Sequence, residues 1–303
     1  MERNNPRIAV VVSCYNHERF VKECLESIAK QTYDNFFVYV FDNNSNDRSR
    51  ITIGACRDSL LWAKEHKFEN KYLMLDGPIF TKGVLPIGVA RWLMIQRVIR
   101  DCDWFAIIDA DDKWGEHKLE YQVKAINDNP EAKLCFSDCH YLYWHDEQVD
   151  NYPAFYRSDR VGKRTFNDKY PPPKSANDYF DHLLTRYNFM ACPTLMFNSR
   201  TFKELIVNPS HYTSAEDYDW VLRFTLNYPA VWVKNPLAYY RVHKDQLTQK
   251  TPAFCTAEEI DVIRRVSRIM NPEKYDRMKN RIRGHLIYLY SKLIYKEVLN
   301  ELP

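Results

Sequence analysis

Three carboxylates fall within four positions in Asp109-Ala110-Asp111-Asp112, at the end of an apolar run. Like charges this close repel unless a cation or several donors lie beside them. A helix N-terminus accommodates one or two aspartates through its dipole, whereas a divalent metal accounts for all three. Hard oxygen donors point to magnesium or manganese, and magnesium is typically held by one or two carboxylates with phosphate and water completing its shell. The remaining ligands would then belong to a diphosphate. Far along the chain, Glu216-Asp217-Tyr218-Asp219-Trp220 opens another helix. As structure, this is ordinary helix N-terminal chemistry. Beside a metal and a diphosphate, Asp217 is the candidate to accept a proton from an attacking hydroxyl, with Asp219 left to cap or orient. Tyr240-Arg241-Val242-His243 follows a strand pattern. Its imidazole is either a structural histidine or a ligand to the metal or phosphates.

The elements that must position these residues alternate in type through the first half of the chain, the pattern of a parallel sheet covered by helices. Ile8 to Ser13, Phe36 to Phe41, Tyr72 to Leu75 and Trp104 to Ile108 read as strands. Helices are expected over Glu18 to Gln31, from the Asp42-Asn43-Asn44-Ser45-Asn46-Asp47 turn to about His66, over Val89 to Arg100 and over His117 to Asn127. Gly77 to Gly88 reads as a loop. The carboxyl ends of such parallel strands form a ligand crevice, so the clusters after Phe41 and Ile108 should converge there. Further strands are expected at Leu134 to Trp144, Cys192 to Phe197, Val231 to Val233 and Leu237 to Val242, with helices at Ser199 to Val207 and Glu216 to Asn227. His145 to Lys174, rich in Tyr, Asp, Arg and Pro, reads as a long surface excursion. Two charged amphipathic helices, Ala257 to Met270 and Pro272 to Leu299, close the sequence.

With 303 residues, 45% of them apolar, the chain can bury a large core. A net charge of +3 gives no basic surplus of the kind that marks nucleic-acid binding. Ile8 to Val12 is too short for a secretory or membrane-spanning segment, and the eight scattered cysteines fit reduced thiols in a cytoplasm. Cys135-x-x-x-Cys139-His140 lacks a second ligand pair for zinc and reads better as buried small residues in a strand.

The motifs resemble the inverting, nucleotide-sugar-dependent glycosyltransferase family two, with the GT-A fold. The resemblance rests on Val10-Val11-Val12-Ser13-Cys14-Tyr15-Asn16, Cys24 to Tyr33, Phe41 to Asp47, Ala90-Arg91, Asp109 to Asp112 with Trp114 and Leu119, Glu216 to Trp220, and Tyr240 to His243, in family order. It implies an α/β GT-A domain over residues 1–250, a mostly parallel mixed sheet flanked by helices, with a C-terminal helical extension over 251–303. By resemblance, Ser13, Tyr15, Asp42 and Asn43 would hold the nucleobase and ribose, and Arg91 would lie near the base or diphosphate. Asp111 would face the ribose or metal, Asp112 would bind manganese or magnesium, Asp109 would support them, and Asp217 would be the catalytic base. Asn43 stands where two consecutive aspartates are common, and Trp92 where Asn is common. The implied donor is a nucleotide-diphosphate sugar, UDP-linked, and the acceptor a glycan or lipid-linked hydroxyl in polysaccharide or glycolipid assembly.

Two rivals are a sugar nucleotidyltransferase and a non-catalytic carbohydrate-binding protein. The first normally has a Gly-rich basic loop after the first strand, and Ser13 to Glu18 contains no glycine. The second has no need of two acidic clusters. The basic amphipathic helices, with Arg264, Arg265, Arg268, Lys279, Arg281 and Arg283, suit an anionic membrane surface or packing against the domain or a second copy of the chain. The expected setting is cytoplasmic, with peripheral contact at the inner face of the membrane as an extension of that reading.

Overall fold

The structure, a computed structural model, describes residues 5–57, 73–75, 83–144 and 160–300. The first strand, β1 (Ile8–Cys14), is buried along its whole length. Alternate side chains enter opposite cores: Ala9 and Val11 join one, Ile8, Val10 and Val12 the other. A strand buried on both faces reads as a continuous apolar run, as this one does. Helix α1 (Val21–Ala29) lays Cys24, Leu25 and Ile28 against the second core, and β2 (Phe36–Asp42) returns parallel to β1. Helix α2 (Ser49–Arg57) follows, and β3 (Leu73–Leu75) pairs in parallel with β2. The continuation of α2 toward His66, most of the Gly77 to Gly88 loop and residues 145–159 of the expected excursion lie outside the described residues.

Helix α3 (Ile87–Val98) covers the first core, and β4 (Trp104–Asp109) lies parallel to β1 on its other side. Register decides what meets at the edge. Ser13 stands beside Asp109, and Cys14 beside Asp42. A short β5 (Lys113–Trp114) and helix α4 (Lys118–Asp128) follow, then β6 (Leu134–Tyr143). Part of the expected excursion is ordered structure: β7 (Arg160–Thr165) pairs antiparallel with β6 and runs into the one-turn α5 (Phe166–Lys169), capped by Thr165 and Asp168. Helix α6 (Tyr179–Thr185) has no counterpart in the sequence reading. It buries Phe180, Leu183 and Leu184, too short a stretch for a clear period.

The strand expected over Cys192 to Phe197 is divided. Cys192–Thr194 is a 3-10 turn, and only β8 (Met196–Asn198) is extended, because Pro193 breaks the run. Helices α7 (Ser199–Leu205) and α8 (Glu216–Asn227) precede β9 (Ala230–Val242), one long strand with register shifts where two were expected. The sheet order is β3-β2-β1-β4-β8-β6-β9-β5, with β7 beside β6; β8 is antiparallel to its neighbours, and β9 runs parallel to β6. A one-turn α9 (Leu247–Lys250) leads to α10 (Pro252–Ile269) and α11 (Pro272–Asn300). Ile260, Val262, Ile263, Val266, Met278, Ile282 and Leu289 of these last helices share one core with β1, α3 and α8. The expected extension over 251–303 therefore packs as part of the same hydrophobic body, so far as it is described.

Candidate active site

Three carboxylates extend from the end of β4. Asp109, Asp111 and Asp112 offer ligand atoms that all lie within 4.8 Å of one another, and His17, Asp111 and His243 form a second such group. Two loops turn beside them. Asn16 and Asn44 both adopt the left-handed region (φ 55° and 67°), which asparagine tolerates better than most residues. The turns interlock: Asn16 N donates to Ser45 Oγ at 2.8 Å, and Asn46 N to Asn16 Oδ1 at 2.9 Å. That arrangement brings His17 Nε2 to 3.7 Å from Asp111 Oδ2, while His243 Nε2, from the end of β9, is 3.0 Å from the same oxygen.

The electrostatics of these carboxylates are unequal. Burial opposes the charge of Asp111, but His17 and His243 outweigh it and hold its carboxyl down at about 2. Burial and the charges of Asp111 and Asp109 push Asp112 well above the usual carboxylate range. A carboxylate forced up by its neighbours gains most from a cation. The Nδ1 atoms of His17 and His243 are buried without a hydrogen-bond partner among the described residues. This hard, oxygen-rich donor set with an imidazole at its margin fits a magnesium- or manganese-sized ion.

Arg241 holds the acidic turn from behind. It is fully buried on β9; its backbone N donates to Asp112 Oδ1 at 2.7 Å and its Nε to the Asp111 carbonyl at 2.6 Å. Its guanidinium also meets Glu23 of α1, at 2.5 Å, and lies over the Phe20 ring. Burial works against the Glu23 charge, but Lys113 and Arg241 outweigh it and lower its pKa.

Arg91 ties the two acidic clusters together. Nearly inaccessible on α3, it pairs with Asp109 through Nη2 and with Glu216 through Nη1. Its Nε donates to Ser13 Oγ at 3.2 Å, and that hydroxyl donates to Asp109 Oδ1 at 2.6 Å. Losing one partner of a buried ion pair costs about 3–5 kcal/mol, so α3, β4 and α8 are held in a fixed relation. Gly88 permits the approach. A Cβ there would stand 2.6 Å from the Ser210 carbonyl oxygen and 2.9 Å from Glu216 Cβ.

The first turn of α8 offers three carboxylates, and two are spent. Glu216 is buried against Arg91, and Asp219 accepts Arg223 Nε on both oxygens at 2.9 Å. Asp217 is only partly buried, and its Oδ1 accepts from Tyr218 N at 2.7 Å. Burial, opposed by Arg91, pushes its carboxyl up to about 6. Cys192 also lines this place, with Sγ 3.8 Å from Asp109 Oδ2.

The remaining sequence candidates divide by what their side chains already do. Tyr15 is exposed at the crevice edge. Asp42 is buried and accepts from Ser45 N at 3.2 Å and from the Ser45 hydroxyl. Asn43 donates to the Leu85 carbonyl at 2.9 Å and accepts from Leu85 N at 3.1 Å. Both polar ends of its amide serve the protein, as does the Ser13 hydroxyl. The side chains of Ser13, Asn43 and Arg91, for which the resemblance implied donor contact, thus also help to shape the crevice. Glu216, Arg241, Glu23, His17 and Gly88 were not among the sequence candidates. Arg241 carried a signal, a charged residue inside an apolar strand; the others become visible only when α1, α3 and α8 are packed.

The sequence model of Glycosyl transferase family 2 matches residues 9–61, the segment that carries β1, the interlocked turns and β2. An uncharacterised glycosyltransferase of Methanocaldococcus jannaschii is 28% identical over 244 residues, 80% of this chain and 72% of the relative. The chain resembles glycosyltransferase family 2. A UDP-Glc:alpha-D-GlcNAc-diphosphoundecaprenol beta-1,3-glucosyltransferase of Escherichia coli is 26% identical over 122 residues, 40% of this enzyme and 42% of its own length. Among solved structures, S. aureus TarS in complex with UDP-GlcNAc superposes with a TM-score of 0.65 at 17% identity, covering 92% of this enzyme and 71% of that chain. A Pyrobaculum calidifontis mannosyltransferase in complex with GDP-Man and Mn2+ superposes with a TM-score of 0.57 at 14% identity, covering 98% and 77%. The enzyme has the GT-A fold and is a glycosyltransferase.

Proposed function

We propose that this glycosyltransferase moves a sugar from a uridine diphosphate donor to a hydroxyl of a glycan or lipid-linked acceptor, with inversion, in the assembly of a cell-surface glycan. The observation that carries this reading is that Arg91 joins the Asp109 cluster to the first turn of α8, where Asp217 alone of three carboxylates is uncommitted to a cation. Manganese or magnesium, held by Asp112, Asp111 and His243, would neutralise charge on the departing diphosphate. Asp217 takes the proton of the acceptor hydroxyl as it attacks. With Glu216 and Asp219 both paired, that turn provides one base and no second nucleophile, which supports a single displacement. Tyr15 and Asp42 border the nucleoside side of the crevice.

Incubation with a panel of nucleotide sugars, with manganese or with a chelator, tests the proposal. Expected is slow, metal-dependent release of UDP, accelerated by acceptor, and a product of inverted anomeric configuration by NMR. Release that is indifferent to metal, or a product of retained configuration, contradicts it.

Helix α11 bears on the acceptor. Its inner face buries Met278, Ile282, His285 and Leu289, while Ile287, Tyr288, Ile294 and Tyr295 are 57%, 60%, 60% and 65% exposed. These four recur seven residues apart and share the outer face. Between Arg277 and Tyr295 there is no carboxylate, but there are five cations: Arg277, Lys279, Arg281, Arg283 and Lys292. A second copy of the helix would bring like charges together, whereas an anionic bilayer would take both the rings and the cations. We assign the outer face to a membrane surface carrying the acceptor. Among the described residues no helix is long and apolar enough to cross a membrane. The protein should co-sediment with phosphatidylglycerol vesicles at low salt, and the variant Ile287→Ser with Ile294→Ser should bind about tenfold less. Equal binding by wild type and variant, or a wild-type dimer that the variant disperses, contradicts the assignment.

A further inference from the structure

Helix α8 begins without a cap of its own. Its N-cap is Ala215, which has no side chain able to receive the free N–H groups of the first turn. The C-terminal helices instead hold the two residues that lead into it. Glu258, buried on α10, accepts from Thr213 N at 2.8 and 3.0 Å, from Ser214 N at 2.7 Å and from Ser214 Oγ at 2.8 Å. Three residues on, Asp261 accepts the Tyr212 hydroxyl at 2.7 Å. On the opposite side of the same segment, Gly88 N donates to the Tyr212 carbonyl at 2.9 Å. The strand of chain that enters α8 is therefore clamped between α10 and the start of α3. Arg91, one turn along α3, fixes Glu216.

We propose that Glu258 is a positioning residue for the reaction, and that α10 belongs to the catalytic apparatus by setting where Asp217 stands. The inference rests on Asp217 being the base. A carboxylate suits the place because it accepts several N–H groups at once and lies at the positive end of the helix dipole. Glutamine has the same shape, but its amide NH2 would face a backbone donor and carries no charge. A shift of the first turn by even a fraction of an ångström misaligns a base while leaving the donor side of the crevice, built on β1, β2 and β4, in place.

Glu258→Gln is expected to lower kcat about tenfold with the KM for donor changed less than about twofold. Ser214→Ala, which removes one of the four hydrogen bonds, should lower kcat by about threefold. Val262→Ala, which removes buried packing one turn along the same helix and none of these hydrogen bonds, serves as the structural control: a lower Tm with kcat retained. The decisive readout is coupling. On an Asp217→Asn background, followed over long incubations, Glu258→Gln should cause no further loss, because the group it positions is already disabled. A full tenfold loss on that background, no loss in either Glu258→Gln or Ser214→Ala, or a Val262→Ala loss of kcat matching that of Glu258→Gln, overturns the proposal. If Asp217→Asn alone transfers at the wild-type rate, it is the base assignment that fails.

Discussion

Asp217→Asn is expected to lower kcat by about 10²- to 10⁴-fold, the range for removing a general base, with donor affinity unchanged within about twofold. Asparagine preserves the acceptor for Tyr218 N and the shape of the first turn, so the change isolates the ionisable oxygen. The pH profile supplies an independent reading. Burial raises the Asp217 carboxyl to about 6, and the base acts only when ionised. Activity should therefore rise with pH through about 6 and level above it, and the residual activity of the variant should lack that limb. A wild-type profile flat from pH 5 to pH 8, or a variant that keeps the limb, assigns the proton transfer elsewhere.

The second large effect belongs to Asp112. Asp112→Asn should abolish stabilisation of the protein by manganese and weaken nucleoside-diphosphate binding about a hundredfold, the scale of losing a principal ligand. Asparagine is the informative replacement because its oxygen still accepts from Arg241 N, whereas alanine would strand that buried donor. Without metal the variant should be at least as stable as the parent. The Asp112 carboxyl is raised by burial and by Asp111 and Asp109, so its charged form costs the fold stability at neutral pH. Removing that charge relieves the repulsion. Thermal melts in chelator and in manganese read both effects. A variant less stable than wild type in chelator would mean that Asp112 serves the fold through its charge.

The crowded aspartates made a candidate metal site legible in the sequence, and the apolar run before them fixed their place at the end of a strand. Alternation of strands and helices was legible for β1, β2 and β4 because each is buried on both faces. What was not legible depends on partners far apart in the chain. Nothing local reveals that Glu216 and Asp109 surround Arg91. The engagement of Asn43 with Leu85 arises from a crossing of segments distant in the sequence. Likewise, α10 looked like an appendage, since an amphipathic stripe does not state what it packs against, and Glu258 is one of many exposed-looking glutamates until the loop before α8 is laid upon it. Short elements such as α6 escaped because one or two turns carry too little period to separate from a loop.

The claim beneath all of this is that the Asp109–Asp112 turn holds a divalent ion against a diphosphate. Isothermal calorimetry of UDP with the wild-type protein, first in manganese and then in chelator, tests it most directly. The account predicts micromolar-range binding that weakens about a hundredfold in chelator and becomes indifferent to manganese in Asp112→Asn. Equal affinity for UDP with and without manganese in the wild type would contradict it.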